Sequence, residues 1–289
     1  MTDVVRIDYW EIVVRSLRLI WKRRFLWFFG FFASVSGGQA ISWTDEGGPR
    51  IREFFLAHVE ILVLVIVAVV VVWLALFIMN LISKGALIRS VGRAEREESI
   101  SFETAWGDGL STFWRLLGIL VIGVALFLAG SIVVAVPIVL PLAAGAPGIA
   151  IAVLIGAILL LPYLAFLFAL TFTVIYAERE VGVGDAGVTE ALRIGWHLTR
   201  RFFVKSLGVW LVMFLSGMVF VLGLVITLLA VAIPFFLIGM ANVAVALALG
   251  IPVGIVIVAV ASGAYGAYAY SVWTLAYLGL RKGLVLEGP

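Results

Sequence analysis

Few residues in this sequence could do acid–base or metal chemistry: there are two histidines, His58 and His197, and no cysteine. Disulfides, thiolate nucleophiles and cysteine-ligated metals are thereby excluded. His58 and Glu60 flank Val59 at the start of a long apolar run. Two positions apart, they point about 200° away from each other on a helix, so acting together would require partners from other spans. They are the candidate intramembrane polar site, because an ionisable group at the edge of a span can reach both water and a ligand.

His197 lies among Arg193, Arg200 and Arg201, and a comparable set, Arg15, Arg18, Lys22, Arg23 and Arg24, precedes the first apolar run. Charged helix faces are most often simply solvated. Beside a membrane helix, however, clustered cations attract anionic phosphates, so Arg15, Arg18, Lys22, Arg23, Arg193, His197, Arg200 and Arg201 are candidate lipid headgroup contacts. A G-x-G-x-x-G spacing occurs at Gly182, Gly184 and Gly187, with no Walker lysine after it. It follows an apolar span and not a strand of a βαβ unit, so these are read as turn glycines. No catalytic residue, metal site or cofactor is expected, and no nucleic-acid partner.

The elements that carry these residues belong to a bilayer. Hydrophobic residues make up 64% of the chain, charged ones 13%, and mean hydropathy is +1.21, far from the composition of a soluble domain. No Asp, Glu, Lys or Arg occurs between Arg115 and Glu178 or between Lys205 and Arg281. Each gap accommodates two spans of about 20 residues. The expected fold is an all-α polytopic bundle of about six spans, near 25–43, 54–82, 116–142, 149–176, 206–232 and 247–278. Lys22-Arg23-Arg24 ahead of an aromatic-rich apolar run has no clean cleavage site and is read as a retained first span.

Three amphipathic interfacial helices precede spans. The first starts at a capping box, Asp8 with Glu11, and carries Trp10, Val13, Leu17 and Trp21 opposite Arg15 and Arg18. The second runs from Ser101 to Trp114. The third has Val188, Leu192, Gly195, Thr199 and Phe202 on one face and Glu190, Arg193, His197 and Arg200 on the other. Residues 44–53, 83–100 and 143–148 are expected to be loops, and Pro234 with Asn242 to break the apolar pattern between the last two spans. Of the 20 Lys and Arg, 18 fall on one side of this arrangement. The positive-inside rule therefore puts both termini in the cytoplasm.

The three interfacial helices share a carboxylate near the start and a cation before the following span, which suggests three units, 1–82, 83–177 and 178–289, within one transmembrane domain 1–289. The segments Gly85-Ala86-Leu87-Ile88-Arg89-Ser90-Val91, Ile100-Ser101-Phe102-Glu103-Thr104-Ala105-Trp106, Glu190-Ala191-Leu192-Arg193-Ile194-Gly195-Trp196 and Trp273-Thr274-Leu275-Ala276-Tyr277 carry a resemblance to bacterial membrane proteins similar to the membrane domain of glycerophosphoryl diester phosphodiesterases. It covers nearly the whole chain and includes no catalytic residue. It implies a fold and a location, the phosphodiesterase chemistry of that group belonging to a separate barrel domain.

The expected function is that of a non-catalytic scaffold, assembly or regulatory partner, bound by anionic membrane lipids and by a protein partner or a second copy. The alternative is a transporter or flippase of a lipid-like substrate, for which a continuous cavity lined by Tyr163, Thr171, Thr173, Tyr265 or Tyr268 is the discriminating feature. Small residues four apart, Ser262/Gly266 and Gly263/Ala267, mark a close helix contact, within the chain or between copies.

Overall fold

The computed structural model describes residues 8–34 and 58–286. All the elements among them are helices. In α1 (Tyr9–Lys22) the Asp8 carboxylate accepts the Glu11 N–H at 3.0 Å, satisfying one of the free donors of the first turn as the capping box predicts. The helix stops at Arg23, and after a short turn α2 (Leu26–Ser34) begins. Trp27 Nε1 of α2 donates to the Ile20 carbonyl at 3.1 Å, capping the last turn of α1. The rest of the expected first span, 35–43, lies outside the described residues, as does the loop 44–53.

Five further elements are long and apolar enough to cross a membrane. They are α3 (Val59–Glu95), α4 (Phe102–Val139) with a 3-10 turn Leu140–Ala144, α5 (Ala146–Val183), α6 (Val188–Ala241) and α7 (Val243–Leu286). Ser101 caps α4 by accepting the Thr104 N–H at 3.1 Å, and α5 begins after Gly145, whose φ of +73° suits a residue without a Cβ, with Pro147 in its first turn. The all-α membrane bundle and the 143–148 hairpin are as expected.

Three boundaries differ from the sequence expectation. Residues 83–95 are a continuation of α3 and not a solvated loop, and their neighbourhood is the most buried of the helix: Ala86, Leu87, Ile88 and Val91 are fully buried. The cations interspersed there are neutralised by carboxylates from other elements, so helix and burial survive them. The second amphipathic segment continues into the apolar part of α4 without a break at Trp114 or Arg115, whereas the third bends at Phe202 (φ −117°, ψ 29°) inside one long helix. Pro234 does not end α6. The helix runs on to Ala241, since a proline's lost hydrogen bond is tolerated in a membrane helix, and only Asn242 separates it from α7, accepting the Val245 N–H at 3.2 Å.

Packing is concentrated at one end. None of the most apolar 18-residue stretch of α3 or of α6 is buried, whereas Phe29, Leu87, Ile119, Phe172, Tyr176, Leu198, Tyr277 and Leu280 are wholly enclosed near the other ends of their helices. Helix α2 lies directly on α7: a Cβ on Gly30 would strike the Gly263 carbonyl, and one on Gly266 would strike the Gly30 carbonyl. The small-residue motif of the last span is thus used inside the chain. Asn80 of α3 donates to the carbonyls of Phe32 (2.7 Å) and Ala33 (3.0 Å), fixing the end of α2 from a third helix.

Candidate functional site at the polar end of the bundle

Lys84 lies about 37 Å along α3 from Val59, beyond the roughly 30 Å of a hydrocarbon core. At that level the long helices exchange charges. Lys84 meets Glu178 of α5 at 3.5 Å, and Glu178 also accepts from its neighbour Arg179 at 2.9 Å. Glu180, 1% exposed, accepts from Tyr277 and from Arg281 (2.8 Å), both on α7. Tyr176 and Ser206 share a hydrogen bond of 2.6 Å that ties α5 to α6.

A second layer lies further from the apolar half. Arg93 of α3 grips Asp108 of α4 with two hydrogen bonds, 2.9 and 3.0 Å, and reaches Glu98 at 3.3 Å. Arg89 lies 3.5 Å from Asp108 and 2.6 Å from Asp185, in the turn between α5 and α6. Arg115 of α4 also donates to Asp185, at 2.8 Å. Held first by Arg115 and then by Arg89, the Asp185 carboxyl lies below its usual range. Asp185 takes φ +58°, a left-handed conformation that Asp tolerates. The glycines at 182, 184 and 187 thus end one helix and start another, and the spacing forms a turn around a paired carboxylate.

Arg15 is bound into this scheme, 2.8 Å from Glu95 and 3.6 Å from Glu11. Arg18 and Lys22 are exposed, Arg23 is half-buried, and Arg24 lies 6.0 Å from the Trp21 ring. On α6, Arg193, His197, Arg200 and Arg201 are exposed while Gly195, Thr199 and Phe202 face the interior, the two-faced pattern read from sequence. Tyr9 donates to the Lys205 carbonyl at 3.5 Å, bringing the start of α1 to the end of this basic run. His58 caps the far end of α3 without a side-chain cap bond and Glu60 is in its first turn, both exposed and remote from the ion-pair layers. Among the described residues no group of three His, Asp or Glu could hold a metal.

Sequence reasoning missed Lys84, Arg89, Asp108, Glu178, Arg179, Glu180, Tyr277 and Arg281 as a unit. The usable signal was Glu178-Arg179-Glu180 directly closing an uncharged stretch of span length, with Lys84 and Arg281 equally close to the ends of theirs.

Cavities open beside this layer. A cleft of about 460 Å³ between α3, α4, α5 and α7 has Lys84, Glu178, Arg179 and Tyr270 at one end and Leu120, Val124 and Phe127 along its wall. An apolar groove of about 780 Å³ runs beneath α1, lined by Trp10, Leu17, Phe220, Tyr265 and Tyr268 among others. The residues singled out for a transport path are divided: Thr171 lines the first, Tyr265 and Tyr268 the second, Tyr163 bonds Ser131 at 2.8 Å, and Thr173 is buried, bonding the Ala169 carbonyl. Chemically, Glu178, the carboxylate that lines the cleft of about 460 Å³, is held by two cations, an arrangement suited to locking helices and binding a charged group. The four segments that carry the sequence resemblance all contribute to this packed end, through Leu87, Ala105, Ala191 and Tyr277. Comparison with protein-family models, with curated proteins and with solved structures gave no match.

Proposed function

We propose that this chain is a non-catalytic membrane scaffold, whose ion-paired end holds a set of apolar helices apart so that their free faces receive other membrane components. The observation that carries this is the contrast along α3: 59–76 expose nearly every side chain, whereas 80–92 are almost wholly enclosed. Along 59–76 the chain itself supplies almost no cover, so that face is left to lipid or to another membrane component. The separation of Thr171, Tyr163 and Tyr265 among unconnected sites favours this reading over that of a transporter or flippase.

In the finer form of the proposal the first span crosses fully and makes six. The amphipathic stretches beginning at Tyr9, Phe102 and Val188 lie at the cytoplasmic headgroup level of a bacterial inner membrane, with both termini on that side. Its support is the placement of 18 of the 20 Lys and Arg. The three-unit division follows the same three starts. A photo-crosslinking residue at Val67 or Val70 of α3, in native membranes, is expected to give discrete protein adducts, and one at Leu87 to give none. Lipid adducts alone at Val67 and Val70, across several growth conditions, contradict the scaffold.

A further inference from the structure

The cleft of about 460 Å³ has the size of a small-molecule site and an uneven chemical make-up. Along α5 its lining runs Leu170, Val174, Glu178 on one row and Thr171, Ile175, Arg179 on the next, apolar toward the middle of the helix and charged at the end. On α4, Leu120, Val124 and Phe127 continue the apolar wall for about 10 Å. The cleft is therefore amphipathic along the axis of α5, as a lipid is along its length.

The charged end carries two cations against one carboxylate. Glu178 is shared by Lys84 at 3.5 Å, a long contact, and by Arg179 at 2.9 Å. The Arg179 side chain is 3% exposed. Nη1 donates to the Ile175 carbonyl at 2.9 Å and the guanidinium lies 5.2 Å from the Tyr270 ring, yet the buried Nε–H meets no acceptor. That Nε is closed off from the cleft, so what an anionic group in the cleft meets is the positive charge of the guanidinium together with that of Lys84. The nearby Glu180 is engaged by Arg281 and Tyr277 and so does not offset the excess positive charge. Tyr270 and Trp273, which also line the cleft, are the aromatic types found at headgroup depth.

We propose that this cleft holds one anionic membrane phospholipid, its phosphodiester against Lys84 and Arg179 and an acyl chain along Leu120, Val124, Phe127 and Val174. The site is distinct from the exposed cations of α1 and α6, and it does not depend on the scaffold reading, which rests on the outer faces of the helices.

The test uses the full chain, delipidated and reconstituted in phosphatidylcholine nanodiscs containing phosphatidylglycerol, with retained lipid counted by native mass spectrometry. One phosphatidylglycerol per chain is expected. Val124→Trp, which fills the apolar wall and leaves the charges in place, is expected to abolish retention, and Lys84→Gln to weaken it about tenfold, the worth of one charge-assisted hydrogen bond. If Lys84→Gln does not fold, Val124→Trp and competition by inorganic phosphate decide. Undiminished retention in Val124→Trp, displacement of the lipid by millimolar phosphate, or loss of the lipid only in Arg200→Gln would each overturn the proposal.

Discussion

The two halves of each long helix obey different rules. In the outer half of α3, Val67, Val69, Val70, Val71 and Val72 are all more than half exposed, while a few turns on Leu87, Ile88 and Val91 are fully buried. The more apolar half is the less packed. In water the reverse holds, because apolar burial drives folding. In a bilayer, lipid is as apolar as valine, and helices associate through small residues, hydrogen bonds and fitted contacts. The packed end has all three: Gly30 against Gly263 and Gly266, Asn80 on the α2 carbonyls, and carboxylates shared between helices.

The sharpest way to break this contrast is to remove one buried partner. Glu180→Ala leaves the buried Tyr277 hydroxyl without its acceptor and Arg281, 40% exposed and so open to solvent, without its carboxylate, and is expected to cost about 3 kcal/mol, read from the midpoint of denaturation in sodium dodecyl sulfate micelles. Next comes a matched pair of truncations. Leu87→Ala should cost about 2 kcal/mol, the low end for a core leucine because lipid replaces water as the reference, and Val70→Ala within about 0.5 kcal/mol of nothing. Equal costs at the two sites would mean that the apolar half is packed after all.

Asn80→Ala is expected to lose about 1 kcal/mol, since its two acceptors at the end of α2 keep only their weaker alternatives. The smallest effect is on pH. Asp185 titrates lower in the folded chain than when unfolded, so its contribution is present above the ordinary carboxylate range and is lost as pH falls through the lowered value. Asp185→Asn is therefore expected to flatten the acid limb of the stability profile and to leave stability differences at lowest pH unchanged. The side chain is two-thirds exposed, so the effect stays small.

Much of the architecture was legible because it depends on local pattern. Asp8 starts a helix where its spacing to Glu11 says it should, the second amphipathic helix begins after Ser101, and the exposed row Arg193, His197 and Arg200 follows from helical period alone. What was not legible depends on partners far away in the chain. Lys84 looks like the first residue of a loop until Glu178 is beside it, and Arg93 looks solvated until Asp108 grips it. Polar composition does not mean exposure where charges pair between helices. At Pro234 the reverse holds, since a residue that breaks soluble helices leaves this one running on to Ala241.

The contrast itself is tested most directly by spin labels, for which the absence of native cysteine provides a clean background. Single cysteines placed at Val67, Val70, Leu87 and Ile88 are labelled in the purified full chain in lipid bilayers, and their collision rates with oxygen and their mobilities are compared. Mobile, oxygen-accessible labels are expected at Val67 and Val70, and immobilised, inaccessible ones at Leu87 and Ile88. Immobilised and inaccessible labels at all four positions would contradict the contrast.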